Sequence, residues 1–85
     1  MAPPGRKHQQ ILSALHAVIY NYIQTKGGNC EVYPAPFAVF LSRDDSNYVE
    51  PDLSIICNPN KLTDKGCTGV PDWIIEFPSI PSQTL

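Results

Sequence analysis

The hydrophobic period of this chain changes at Gly27-Gly28, and that change limits its folds more than any other feature. Before it, Ile11, Leu12, Leu15, Val18, Ile19, Tyr22 and Ile23 recur at three- and four-residue spacing. That pattern predicts an amphipathic helix with a wide apolar stripe, beginning near Lys7 and stopped by the two glycines. After it, apolar runs are short and bounded by Pro34, Pro36, Pro51, Pro59, Pro71 and Pro78. Four such runs read as strands, at 30–33, 37–42, 53–57 and 73–77. Residues 43–47 form a polar turn, and 58–72 read as a loop holding Pro59, Gly66, Gly69 and Pro71. The ends, 1–5 and 79–85, carry prolines and no periodic pattern.

One helix followed by β runs gives an α+β class, with the helix packed on an antiparallel or mixed sheet. The helix covers one sheet face. The other face is apolar as well, and nothing in the chain is expected to cover it. Missing sequence or self-association into a homo-oligomer is the expected consequence.

With 85 residues the chain holds one domain and a thin core. Only 16% of residues are charged, and the formal net charge is −2. A free-standing nucleic-acid binder normally carries a basic excess, because neutralised phosphates supply much of its affinity. Strong, autonomous DNA binding is therefore not expected, and DNA is expected as a weakly held partner. Cys30, Cys57 and Cys67 contain no Cys-x-x-Cys pair, which disfavours a structural zinc site. They are expected to be reduced structural thiols in a cytoplasmic protein, Cys57 as a small buried hydrophobe. No signal peptide is visible, and no apolar stretch is long enough to cross a membrane.

Two carboxylates carry the candidate chemistry. Asp52 precedes Leu-Ser-Ile-Ile-Cys, and Glu76 interrupts Trp-Ile-Ile-Glu-Phe. If those runs pair antiparallel, the start of one lies beside the end of the other and the two acids meet. Converging carboxylates suit Mg²⁺ or Mn²⁺. Such an ion activates water and stabilises charge in phosphodiester cleavage. The bland alternative for Asp52 is a turn aspartate, as Asp72 is expected to be before Trp73. For Glu76 the rival is a solvated edge position. Glu76 is expected in the central strand, where an unpaired carboxylate is costly. His8 and His16 lack the four-residue spacing of a metal pair. His8 reaches such a site only if the helix start points at it, and His16 reads as a packing or solvent residue. Asp44, Asp45 and Glu50 read as a solvated hairpin. Cys67 has no base nearby in sequence, which argues against a nucleophile.

The order of short motifs carries a resemblance. Pro-Gly-Arg-Lys-His-Gln-Gln-Ile (4–11) is followed by Cys-Glu-Val-Tyr-Pro-Ala-Pro-Phe-Ala-Val (30–39) and Glu-Pro-Asp-Leu-Ser-Ile-Ile-Cys (50–57). Lys-Leu-Thr-Asp-Lys-Gly-Cys-Thr-Gly-Val-Pro-Asp-Trp-Ile-Ile-Glu (61–76) completes the set. Together they resemble the Uma-type restriction endonuclease family of the PD-(D/E)XK nuclease superfamily, over residues 1–76. The resemblance implies a restriction-endonuclease-like core and Mg²⁺-dependent cleavage of DNA. It implies Asp52 and Glu76 as catalytic acids and metal ligands, with the main-chain carbonyl of Phe77 as a further ligand. His8 matches a histidine at the start of that family's first helix.

The chain departs from the family in three places. The superfamily lysine two residues after the acid is Pro78 here. The resemblance implies that the lysine comes from a later helix, which this chain does not contain. The family's N-terminal segment with a Glu-Leu-Ile-Asp-Gly type motif is absent. After Glu76 the run Phe-Pro-Ser-Ile-Pro-Ser departs in register from the family's Val-Leu-Ser-Pro-Ser, as a frameshifted or truncated frame does. The expectation is one incomplete domain over 1–85, an endodeoxyribonuclease inactive or weakly active by itself. The alternative is a non-catalytic remnant or a subunit acting through oligomerisation.

Overall fold

The computed structural model describes residues 5–42 and 47–77. The expected turn residues Asp44 and Asp45, the first four residues and the tail from Pro78 lie outside them.

α1, Arg6–Lys26, follows the apolar spacing. Gly27 ends it at φ 69°, and its N–H donates to the carbonyls of Ile23 and Gln24. Glycine adopts this left-handed conformation without a Cβ penalty, so the helix stops where the sequence expects.

Among the described residues six strands follow: β1 Glu31–Pro34, β2 Val39–Phe40, β3 Leu53–Ile56, β4 Leu62–Thr63, β5 Gly66–Thr68 and β6 Trp73–Ile75. They form two three-stranded sheets, ordered β1-β3-β6 and β2-β5-β4. The first is antiparallel throughout, with Val32 opposite Ile55 and Leu53 opposite Ile75. In the second, β2 runs parallel to β5 while β4 and β5 are antiparallel. The α+β class holds, with a mixed second sheet. The expected 58–72 loop instead contains a 3₁₀ turn, Pro59–Lys61, and the β4–β5 hairpin.

Two buried clusters lie on opposite sides of β3. Leu12, Val32 and Leu53 form one, with Leu15, Ile19, Ile23, Ile55, Ile75 and Phe77 packed against it. Val39, Ile56 and Cys67 form the other, with Tyr33, Phe37 and Leu62 around it. The alternation along β3 explains this: Leu53 and Ile55 turn toward α1, and Ile56 turns toward the second sheet. A strand covered on both faces reads as a near-continuous apolar run, as Leu-Ser-Ile-Ile does. Replacing fully buried Leu53 by alanine costs about 2–5 kcal/mol.

This arrangement corrects the expectation of an uncovered second face. The short second sheet covers part of it, and Ser54 and Ile56 are buried beneath that sheet. Gly66 makes the close approach there. At φ 143° it lies under Ala38, and a Cβ at this position would collide with the Ala38 carbonyl oxygen.

Cys30 and Cys57 are joined by a disulfide. They stand one rung beyond the Glu31–Ile56 pair, so antiparallel pairing brings two cysteines distant in sequence face to face. The expectation of three reduced thiols is corrected for these two. Cys67 is free and buried.

Candidate functional site

Asp52 lies just before β3, where the chain leaves Pro51 and enters the ladder. Its backbone carbonyl accepts the Ala35 N–H at 2.9 Å, which ties it to the end of β1. Its side-chain Oδ2 accepts the Phe77 N–H at 2.7 Å, which ties it to the chain leaving β6. A carboxylate accepting a backbone N–H makes a charge-assisted bond, roughly twice as strong as a neutral one. Asp52 is thus held from both neighbouring strands.

Glu76 follows from the register. Leu53 pairs with Ile75, and the next step outward matches Asp52 with Glu76. Continued one step, the register sets the two acids opposite each other at one end of the β3–β6 pair. The environment of Glu76 differs from the expected one. β3 is central and β6 is an edge strand, and Glu76 is exposed. Its carboxylate keeps its hydration and carries no burial cost.

His8 arrives from a third element. It lies in the first turn of α1, and its Nε2 is 3.6 Å from Asp52 Oδ2, an ion-pair distance when the imidazole is protonated. Its ring meets the Phe77 ring edge-on, with centroids 5.6 Å apart and planes at 87°. The condition attached to His8 is met, since the helix start points at Asp52. His16 lies elsewhere on α1, stacked on Tyr20.

Asp72 occupies the mirror position at the other end of the same ladder. Its Oδ2 accepts the Cys57 N–H at 2.6 Å, and its own N–H donates to the Ile55 carbonyl at 2.9 Å. The turn-residue expectation for Asp72 is sharpened to a strand-end clamp. Sequence reasoning missed the matching geometry, although each aspartate stands beside a proline at the entry to a strand.

Ser54 Oγ is buried and has no hydrogen-bond partner among the described residues, while other polar groups are partnered locally. Lys61 donates from Nζ to the Val70 carbonyl at 2.8 Å. Tyr33 donates its hydroxyl to the Glu31 carboxylate, and that bond, followed by burial and the nearby negative charge, raises its pKa. Burial raises the Cys67 thiol, with Asp72 adding to the rise and Lys61 opposing it. A thiol kept protonated and fully buried is a poor nucleophile, in line with its sequence reading.

A divalent cation is implied by the resemblance. Among the described residues no three His, Cys, Asp or Glu side chains form a ready metal cluster. Mg²⁺ does not need one, since it keeps several waters and is held through one or two carboxylates plus substrate phosphate. Asp52 commits Oδ2 to Phe77, so Oδ1 is the oxygen that remains for a cation. The donors that the resemblance implies, Asp52, Glu76 and the Phe77 carbonyl, are all oxygens, the type a hard ion takes.

Among the described residues no helix is long and apolar enough to cross a membrane. No curated protein and no solved structure gives a significant match to this chain. One family model does match, over residues 1–84: Uma2, described as a putative restriction endonuclease. That covers nearly every residue, and the chain belongs to the Uma2 family.

Proposed function

We propose that this chain carries the metal-facing carboxylates of a Mg²⁺- or Mn²⁺-dependent endodeoxyribonuclease site. Asp52 and Glu76 are its acidic ligands and catalytic acids, and the Phe77 carbonyl is a third ligand. The observation that supports it best is the bond from the Phe77 N–H to Asp52 Oδ2, which ties the residue after Glu76 to Asp52. When bound, the cation supplies positive charge for the phosphodiester and lowers the pKa of a water. Asp52 contributes a carboxylate already fixed in orientation, so little ordering remains on binding. Exposed Glu76 contributes a second carboxylate open to solvent and to a phosphate backbone. Family membership supports DNA as the substrate.

We read residues 1–85 as one restriction-endonuclease-like domain with little or no turnover by itself. Phosphodiester cleavage needs a cationic or basic group besides the metal, and position 78, the place of the superfamily lysine, is proline. DNA binding is weak in this reading, as the net charge of −2 requires. Incubating supercoiled plasmid with the protein and Mg²⁺ or Mn²⁺ tests it. Trace relaxation at most is expected, lost in Asp52→Ala and Glu76→Ala. Strong relaxation that survives either substitution contradicts the assignment.

The second reading is a subunit that acts through self-association. Ile11, Val18 and Tyr22 lie along one side of α1 and are exposed, and Trp73 is exposed on edge strand β6. These surfaces replace the sheet face as the basis for a homo-oligomer. Sedimentation showing only monomer at high concentration contradicts that part. A cytoplasmic location accompanies the DNA substrate in this reading.

A further inference from the structure

We infer that His8 is the positioning residue of the Asp52 carboxylate. Asp52, Phe77 and His8 come from three different parts of the chain and form a closed triangle of contacts. The Phe77 N–H meets Asp52 Oδ2 at 2.7 Å, the His8 Nε2 meets the same oxygen at 3.6 Å, and the His8 and Phe77 rings meet edge-on at 5.6 Å. Each contact restrains the other two. The Phe77 side chain is anchored against the Leu12, Val32 and Leu53 cluster, so the triangle rests on the core.

His8 and Asp52 side chains are each 22% exposed, which leaves the pair shielded from bulk water but open at the surface. The Phe77 N–H and the His8 imidazole meet the same carboxylate oxygen of Asp52, which favours one rotamer; among the described residues Oδ1 has no hydrogen-bond donor. That is the division of labour seen where an outer group orients a metal-ligating carboxylate. An edge-to-face ring contact gives His8 a fixed direction, because the ring edge is positive and the ring face negative. Asp72 provides an internal comparison: it makes the same carboxylate-to-amide bond, to Cys57, and no histidine stands in that bond's contacts.

The metal-orienting consequence rests on the proposed cation site, but the positioning itself does not. Amide hydrogen exchange of Phe77, read with Cys57 as control, separates the two. His8→Phe keeps a ring against Phe77 and removes the nitrogen; His8→Gln keeps a nitrogen donor and removes the ring. In His8→Phe the Phe77 amide is expected to exchange about five- to tenfold faster, with Cys57 unchanged. In His8→Gln, which keeps a donor and loses the ring contact, a smaller acceleration than in His8→Phe is expected at Phe77. Unchanged Phe77 protection in His8→Phe overturns the inference, and so does equal acceleration at Phe77 and Cys57, which marks a global loss of stability. Mn²⁺ titration adds the functional arm: His8→Phe is expected to bind Mn²⁺ about ten- to a hundredfold more weakly than wild type. Wild type that binds no Mn²⁺ sinks the cation site and leaves the exchange data to decide the role of His8.

Discussion

Asp52 and Asp72 clamp opposite ends of one antiparallel ladder, the first accepting the Phe77 N–H at 2.7 Å and the second the Cys57 N–H at 2.6 Å. Both use Oδ2, and in both the donor lies one residue past the directly opposite position in the β3–β6 register. The same local device therefore serves two ends of the strand pair. Among the described residues, the Asp52 end also has a second acid, Glu76, opposite it in register and a histidine, His8, at the same carboxylate.

This symmetry allows structure and site to be separated by substitution. Asp52→Ala removes a bond to a part-buried amide and is expected to cost about 1–3 kcal/mol. Asp72→Ala removes a more exposed bond and is expected to cost less. Urea denaturation measures both. Mn²⁺ binding is expected to vanish in the first variant and persist in the second. Loss of binding in both would mean that the ladder, and not Asp52 itself, makes the site.

The Cys30–Cys57 bridge spans a sequence separation of 27. Cross-linking a loop of that length is expected to stabilise the fold by about 3–4 kcal/mol through the unfolded chain. Urea midpoints with and without reductant test this, alongside a thiol count. The oxidised protein is expected to show one thiol, from Cys67, after unfolding, and the reduced protein three. Midpoints that coincide would contradict the expectation.

Alkaline pH is expected to destabilise the fold. Burial raises the Cys67 thiol above its ordinary 9.0, and the bond donated to Glu31 raises Tyr33 above its ordinary 10.0. Each group stays protonated in the folded state at pH values where the unfolded chain releases its proton. Stability is therefore full below pH 9.0 and falls as pH rises through the folded values. Denaturation midpoints across the alkaline range measure it. In Cys67→Ala the fall is expected to begin later, near the Tyr33 range. A midpoint that rises with pH contradicts the assignment.

How much of this was legible depended on the range of the forces involved. α1 was readable to its last turn, because period and a glycine stop are local. β3 and β6 were readable as apolar runs, yet nothing in Trp-Ile-Ile says that Trp73 faces solvent on an edge strand. Glu76 was consequently expected at the sheet centre. The second sheet was hidden, because Leu62-Thr63 and Gly66–Thr68 are short and polar. Their strand state comes from the distant pairs Val39–Cys67 and Phe40–Thr68. Asp52 was marked by the Pro-Asp motif and the family pattern, whereas the contact of His8 with it depends on how α1 crosses the sheet. The disulfide was missed for the same reason, since only the β1–β3 register brings residues 30 and 57 together.

Asp52 and Glu76 are proposed to form one cation site. Calorimetric titration of Mn²⁺ into wild type, Glu76→Ala and Asp72→Ala tests it most directly. Exposed Glu76 bears no packing role, so its replacement is expected to leave the fold intact. The expected result is a saturable heat in wild type and Asp72→Ala that is lost in Glu76→Ala. Equal heats in wild type and Glu76→Ala, or no binding in wild type, would contradict the site.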